Sequence, residues 1–182
     1  MLKINKVNLR KLLTICLLFI MFFQFFSCNK STTEKRFSNK YFSFMYPKEW
    51  KASNEEGLVT ITGPIEDAYF VNIKFSYNPE INLPLDEFKR TVENQNNLDQ
   101  QPGFVDGGEE EINIGDIKAI NHSIKTKVLV SKDSPYIDLS VNLIYMVKDD
   151  KLGVVATTEV PGRFFFKYEQ IFNKIMNSFK FK

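Results

Sequence analysis

Ile137-Asp138-Leu139-Ser140-Val141-Asn142-Leu143-Ile144-Tyr145-Met146-Val147, then Asp149-Asp150-Lys151, then Leu152 to Glu159, is the stretch that decides the fold class. Ile137, Leu139, Val141, Leu143, Tyr145 and Val147 recur at every second residue, the period at which strand side chains return to one face. Asp149-Asp150-Lys151 is turn chemistry, and a connection that short joins antiparallel neighbours. The stretch reads as a long hairpin, and the sheet built around it is antiparallel.

Working upstream, Asp133-Ser134-Pro135 is a turn into a preceding strand, Ile117 to Val130. Gly115-Asp116 fits a two-residue type II′ turn, with glycine at the first central position, and connects that strand back to Glu111–Ile114. Asp106-Gly107-Gly108 is expected to interrupt the chain before it. Tyr69, Val71, Ile73, Phe75 and Tyr77 alternate with more polar residues, and Leu58 to Thr62 is a shorter strand stopped by Gly63-Pro64. Phe42, Phe44 and Tyr46 alternate as well, and Pro47-Lys48-Glu49-Trp50 ends their strand.

Two helices are expected. Pro84 opens the first, with Asp86 and Glu87 in the first turn, where the macrodipole favours anions, and Leu85, Phe88 and Val92 at helical spacing up to about Asn97. Pro161-Gly162 launches the second, in which Phe164, Tyr168, Ile171, Phe172, Ile175 and Phe179 form one apolar stripe. These stripes need a sheet to cover them, as do most of the 18 phenylalanines. The expected class is α+β: a central antiparallel sheet with flanking helices, an α/β/α sandwich.

Phe42-x-Phe44-x-Tyr46-Pro47-x-x-Trp50, Thr62-Gly63-Pro64, Ile114-Gly115-Asp116-Ile117-Lys118-Ala119 and Ile171-Phe172-x-x-Ile175-x-x-Ser178-Phe179 together resemble PsbP-like domains, including the DcrB-like lipoproteins. The likeness spans nearly all of residues 37–182 and rests on packing residues. It implies the sandwich and a non-enzymatic role on a larger assembly, and carries no functional residue across.

The N-terminus decides location. Lys3, Lys6, Arg10 and Lys11 precede an apolar run from Leu12 to Phe26, with Ser27-Cys28 after it. The run is short for a membrane span, which needs about 20 apolar residues, and suits a secretory h-region. Phe25-Phe26-Ser27-Cys28 resembles a bacterial lipobox, although Phe25 and Phe26 depart from its usual aliphatic and small residues. The resemblance implies a thioether-linked diacylglycerol on Cys28 and cleavage before it; ordinary secretion or an uncleaved anchor is the alternative. The organisation expected is residues 1–27 as signal peptide, 28–36 as lipidated cysteine and polar tether, and 37–182 as one globular domain. The location is extracytoplasmic and membrane-anchored.

Removing residues 1–27 changes the charge argument. The chain is +2, but four positive charges lie in the n-region, leaving −2 for the remainder. No basic stripe interleaved with aromatics remains, so nucleic acid is not an expected partner. Cys16 leaves with the h-region and Cys28 is taken up by lipid, so no cysteine is left for a disulfide, a metal or a nucleophile.

Chemistry is sparse. His122 is the one histidine, on a strand beside Ile120 and Ile124, and is expected to be partly buried with a hydrogen-bond partner rather than a catalytic base. Glu109-Glu110-Glu111, with Asp106 and Asp116, is the densest acidic group. Glu109 and Glu111 share a strand face while Glu110 points away, so these offer less than the six to eight oxygens calcium takes. A solvated sheet edge is the expectation. Asp149 and Asp150 are read as turn residues, and Trp50 as a core or rim aromatic. No nucleophile elbow, phosphate loop, His-Glu-x-x-His or dinucleotide fingerprint occurs. The expectation is a non-enzyme without cofactor or metal: a lipid-anchored envelope module that holds a protein partner, or alternatively a binder of a small ligand or metal ion in a pocket between sheet and helix.

Overall fold

The computed structural model describes residues 33–182. Cys28, the signal segment and the start of the tether lie outside them. Ten strands and two helices follow in order: β1 (Glu34–Ser38), β2 (Phe42–Pro47), β3 (Lys51–Glu55), β4 (Leu58–Glu66), β5 (Tyr69–Asn78), α1 (Leu85–Asn96), β6 (Val105–Ile114), β7 (Ile117–Leu129), β8 (Tyr136–Lys148), β9 (Leu152–Pro161), α2 (Phe165–Asn177) and β10 (Lys180–Phe181). Seven strands form one antiparallel sheet in the order β3-β4-β5-β9-β8-β7-β6, and β1-β2-β10 form a second.

The central hairpin is β8–β9, with Val147 opposite Gly153 and Leu139 opposite Pro161. Asp149 and Asp150 both take φ of 54°, the pair of left-handed residues that a type I′ turn requires. Gly115 alone is left-handed in the β6–β7 turn, as type II′ demands. Both faces of the central strands are covered, which is why Leu143-Ile144-Tyr145-Met146 is buried without a break.

One face carries α2 and the small sheet. Phe42, Phe44, Ile61, Ile73, Phe75, Met146, Val154, Phe172 and Ile175 pack there, with the Phe44 and Phe75 rings stacked 4.4 Å apart. The other face carries α1, whose Phe88 packs with Leu143, Tyr145 and Val155. Phe88 reaches the sheet because residue 153 is glycine: a Cβ there would come within 2.6 Å of the ring.

Several boundaries differ from expectation. β1 begins at Glu34 and pairs with β2, so Glu34, Lys35 and Arg36 belong to a sheet rather than to a tether. β4 does not stop at Gly63-Pro64; it continues to Glu66 with a bulge between Thr62 and Ile65. Gly63 is instead where the Trp50 ring lies against the backbone, 2.8 Å from where a Cβ would sit. Asp106-Gly107-Gly108 does not interrupt a strand but forms a bulge inside β6. The sandwich fits roughly, since one outer layer is a helix plus a three-stranded sheet.

Candidate functional site

α1 is tied to the sheet by a polar cluster at its middle and borders an apolar groove along its length. Lys89 and Glu93 are four residues apart on α1 and face the sheet together. Glu109 and His122 are cross-strand partners on β6 and β7, and Tyr145 lies one strand further in. The β6 bulge turns Asp106 onto the same face.

The geometry closes on His122, which is 5% exposed. Its Nδ1 lies 2.8 Å from Glu93 Oε1 and its Nε2 3.1 Å from Asp106 Oδ1. Each contact is a hydrogen bond when the ring nitrogen concerned carries a proton and the carboxylate accepts it. Tyr145 donates to Glu93 Oε1 at 3.1 Å. Lys89 Nζ bridges Glu93 Oε2 at 2.9 Å and Glu109 Oε1 at 2.6 Å. Asp106 Oδ1 also accepts the Gly108 N–H at 2.7 Å.

The electrostatics follow from these contacts. Burial pushes the Glu93 carboxyl up, but hydrogen bonds from Lys89 and His122 outweigh it and hold it below the usual range. The Gly108 N–H, and then His122, hold Asp106 down. Burial pulls the Lys89 ammonium down, and its bonds to Glu109 and Glu93 more than reverse this. Burial, then the Glu93 charge, pushes the Tyr145 phenol well up.

Among the described residues, Glu93, Glu109 and His122 have the spacing of metal ligands, with donor atoms within 4.8 Å of one another. The Lys89 ammonium bonds to both glutamates and fills the cationic position between them. Each ring nitrogen of the histidine faces a carboxylate. The cluster pins α1 to the sheet.

Beside α1 runs an open groove of about 720 Å³. Phe88, Val92, Leu139, Leu143 and Val155 supply apolar walls, and it extends from Ile81 before the helix to Leu98 and Gln101 after it. Its polar wall is Glu159, which accepts the Tyr69 hydroxyl at 2.6 Å and pairs with Lys74 at 2.7 Å. Burial, then the Glu159 charge, raises the Tyr69 phenol.

The remaining expected residues lie elsewhere. Glu110 turns away and accepts from Asn121 at 2.9 Å, while Glu111 sits exposed 3.8 Å from Lys118. Asp116, Asp149 and Asp150 are in turns, and Trp50 is buried against Tyr168 and Phe172. Cys28 lies outside the described residues. The groove lies where the alternative expectation puts a pocket, between sheet and helix, whereas Lys89 and Glu93 are not among the expected site residues; the Lys-x-x-x-Glu spacing on an otherwise apolar helix face is the signal for them.

The backbone matches solved structures over most of its length. Cyanobacterial PsbP from Synechocystis sp. PCC 6803 aligns with a TM-score of 0.54 at 14% identity, covering 86% of this chain and 98% of that one. The fold is that of the PsbP-like domains. LpqN of Mycobacterium tuberculosis, described as involved in cell envelope biogenesis, aligns at 0.56 and 10% identity over 84% and 87% of the two chains. The Saccharomyces cerevisiae Ran-binding protein Mog1p aligns at 0.52 and 9% over 81% and 94%. No protein-family model and no curated protein matches the sequence. At these identities the likeness concerns the fold, so what this PsbP-like domain binds has to be argued from its own residues.

Proposed function

We propose that the protein is a lipid-anchored, non-enzymatic module of the cell envelope that works by binding, and that the groove beside α1 takes a small elongated amphiphile. The groove carries the reading. Its volume falls among ligand sites, which run about 300–1,000 Å³, and its lining sets apolar side chains such as Phe88, Leu143 and Val155 beside polar ones such as Thr91, Asn96 and Glu159, the mixture an amphiphile needs. Glu159 and Tyr69 in the wall would orient a polar head, and the apolar residues along α1 would cover a chain. The envelope setting is supported by the signal-like N-terminus and by LpqN's stated role.

A protein partner is the second reading, supported by a fold neighbour that binds Ran. The test is thermal unfolding with palmitate or lysophosphatidylcholine below their aggregation thresholds, beside cross-linking in native membranes. A saturable rise in Tm that Thr91→Trp, at the groove wall, abolishes supports the amphiphile. No rise, together with a stoichiometric cross-linked protein, replaces it with the partner reading.

A further inference from the structure

Seven large apolar side chains are exposed among the described residues, and all seven lie at one end of the large sheet. That end is where β4, β7 and β9 finish and where β5, β6 and β8 begin. Ile65 and Phe70 flank the β4–β5 turn, and Val105 opens β6. Leu129 and Val130 leave β7, and Tyr136 opens β8. Phe166, 83% exposed, is in the first turn of α2, which starts directly after β9. The turns at the opposite end carry Glu55-Glu56, Asp116 and Asp149-Asp150, with Lys151 beside them.

The chain enters the domain at the apolar end. Glu34 pairs with Pro47 of β2; the Trp50 N–H donates to the Pro47 carbonyl; and β3 starts next, at Lys51, opposite Thr62 near the end of β4. Cys28 precedes Glu34 by six residues, a reach of about 20 Å at full extension. An acyl anchor on Cys28 would therefore leave the apolar end, not the acidic one, nearest the bilayer.

We propose that this end is a lipid-facing surface, whose exposed Phe166, Tyr136, Phe70 and aliphatic neighbours seat in the interfacial region of the membrane that the Cys28 anchor supplies. The inference rests on the anchored reading of Cys28. Tyrosine favours that interfacial depth, and phenylalanine and leucine supply the apolar face of elements that lie in it. Exposed apolar residues scattered singly are ordinary, whereas these seven share one end. Arg163 and Lys167 in this rim are paired with Asp67 and Glu66.

The experiment places an environment-sensitive fluorophore on Phe166→Cys, Tyr136→Cys and, as the far-end control, Asp149→Cys. Each full chain, processed in a bacterial host, is reconstituted in phosphatidylcholine vesicles containing spin-labelled lipid. Acylation of Cys28 is checked by mass spectrometry. The expected result is lipid quenching of about twofold or more at 166 and 136 and none at 149, from seating about 5–10 Å into the interface. Equal quenching at both ends in an acylated protein overturns the inference and leaves the anchor standing. An unmodified Cys28 overturns both. Near-end probes that stay in water in vesicles but are shielded in native membranes, or that cross-link to a second copy, show a protein cover instead and overturn the lipid.

Discussion

Replacing Glu93 with alanine tests the idea that the polar cluster holds α1 to the sheet. Glu93 is the node: it receives Lys89, His122 and Tyr145, and its side chain is 18% exposed. Its removal leaves the Tyr145 hydroxyl without that acceptor and His122 Nδ1 with Glu109 Oε1 at 3.9 Å, beyond hydrogen-bond distance. Breaking a buried ion pair costs about 3–5 kcal/mol. Partial exposure, and Glu109 still bonding Lys89, reduce that to about 2–3 kcal/mol here. For a domain of this size each kcal/mol moves Tm by about 2–4 °C, so a fall of about 4–12 °C at pH 7 is expected by circular dichroism. Glu93→Gln keeps the acceptor oxygen and should lose roughly half as much, about 1–1.5 kcal/mol. The pH dependence has a fixed sign. Because the folded carboxyl lies below its ordinary 4.5, its contribution is complete above that value and is lost as pH falls through the folded one. The gap between wild type and Glu93→Gln should therefore narrow as pH falls below 4.5. A Glu93→Ala Tm within about 2 °C of wild type at pH 7, or a gap that does not narrow in acid, would refute the reasoning.

Gly153→Ala drives a methyl group into the Phe88 ring and should cost about 1–3 kcal/mol, with hydrogen exchange accelerated in α1 more than in α2. Gly63→Ala meets the buried Trp50 ring, so a loss of similar size, about 1–3 kcal/mol, should come with a changed Trp50 fluorescence maximum. A groove ligand at about 100 times its Kd should add about 2.7 kcal/mol to stability, read as a rise in Tm that grows with its concentration. At the alkaline side the sign reverses: Lys89 titrates above its ordinary 10.5, so its contribution persists below that and fades as pH rises through the folded value, which Lys89→Met should remove.

What was legible in the sequence was whatever periodicity or turn chemistry carries. The hairpin of β8 and β9, the strand from Tyr69, both helices and the Gly115 and Asp149-Asp150 turns announce themselves by alternation, by helical stripes or by left-handed turn residues. β3 was silent because its five residues are all exposed, so no side chain pattern marks a face. β1 was hidden inside a polar run, since Glu34, Lys35 and Arg36 gain their strand from hydrogen bonding to β2 rather than from burial. The β4–β5 turn gave no cue either, because Ala68 sits at φ 61°, a conformation that alanine rarely takes. The candidate site failed for a different reason. Lys89 and Glu93 are one turn of chemistry on a helix, and Glu109, His122 and Asp106 come from two strands whose pairing depends on a bulge. Local patterns state which residues share a face of one element; they do not state which face meets which. The groove is a consequence of that second kind of information, since it lies between α1, held by the cluster, and the face of β7, β8 and β9. On this account the polar cluster and the groove are one design. Loosening the first should weaken ligand binding in the second without any groove residue having changed, and Lys89→Met, outside the groove lining, with its ligand-dependent Tm rise intact would separate them.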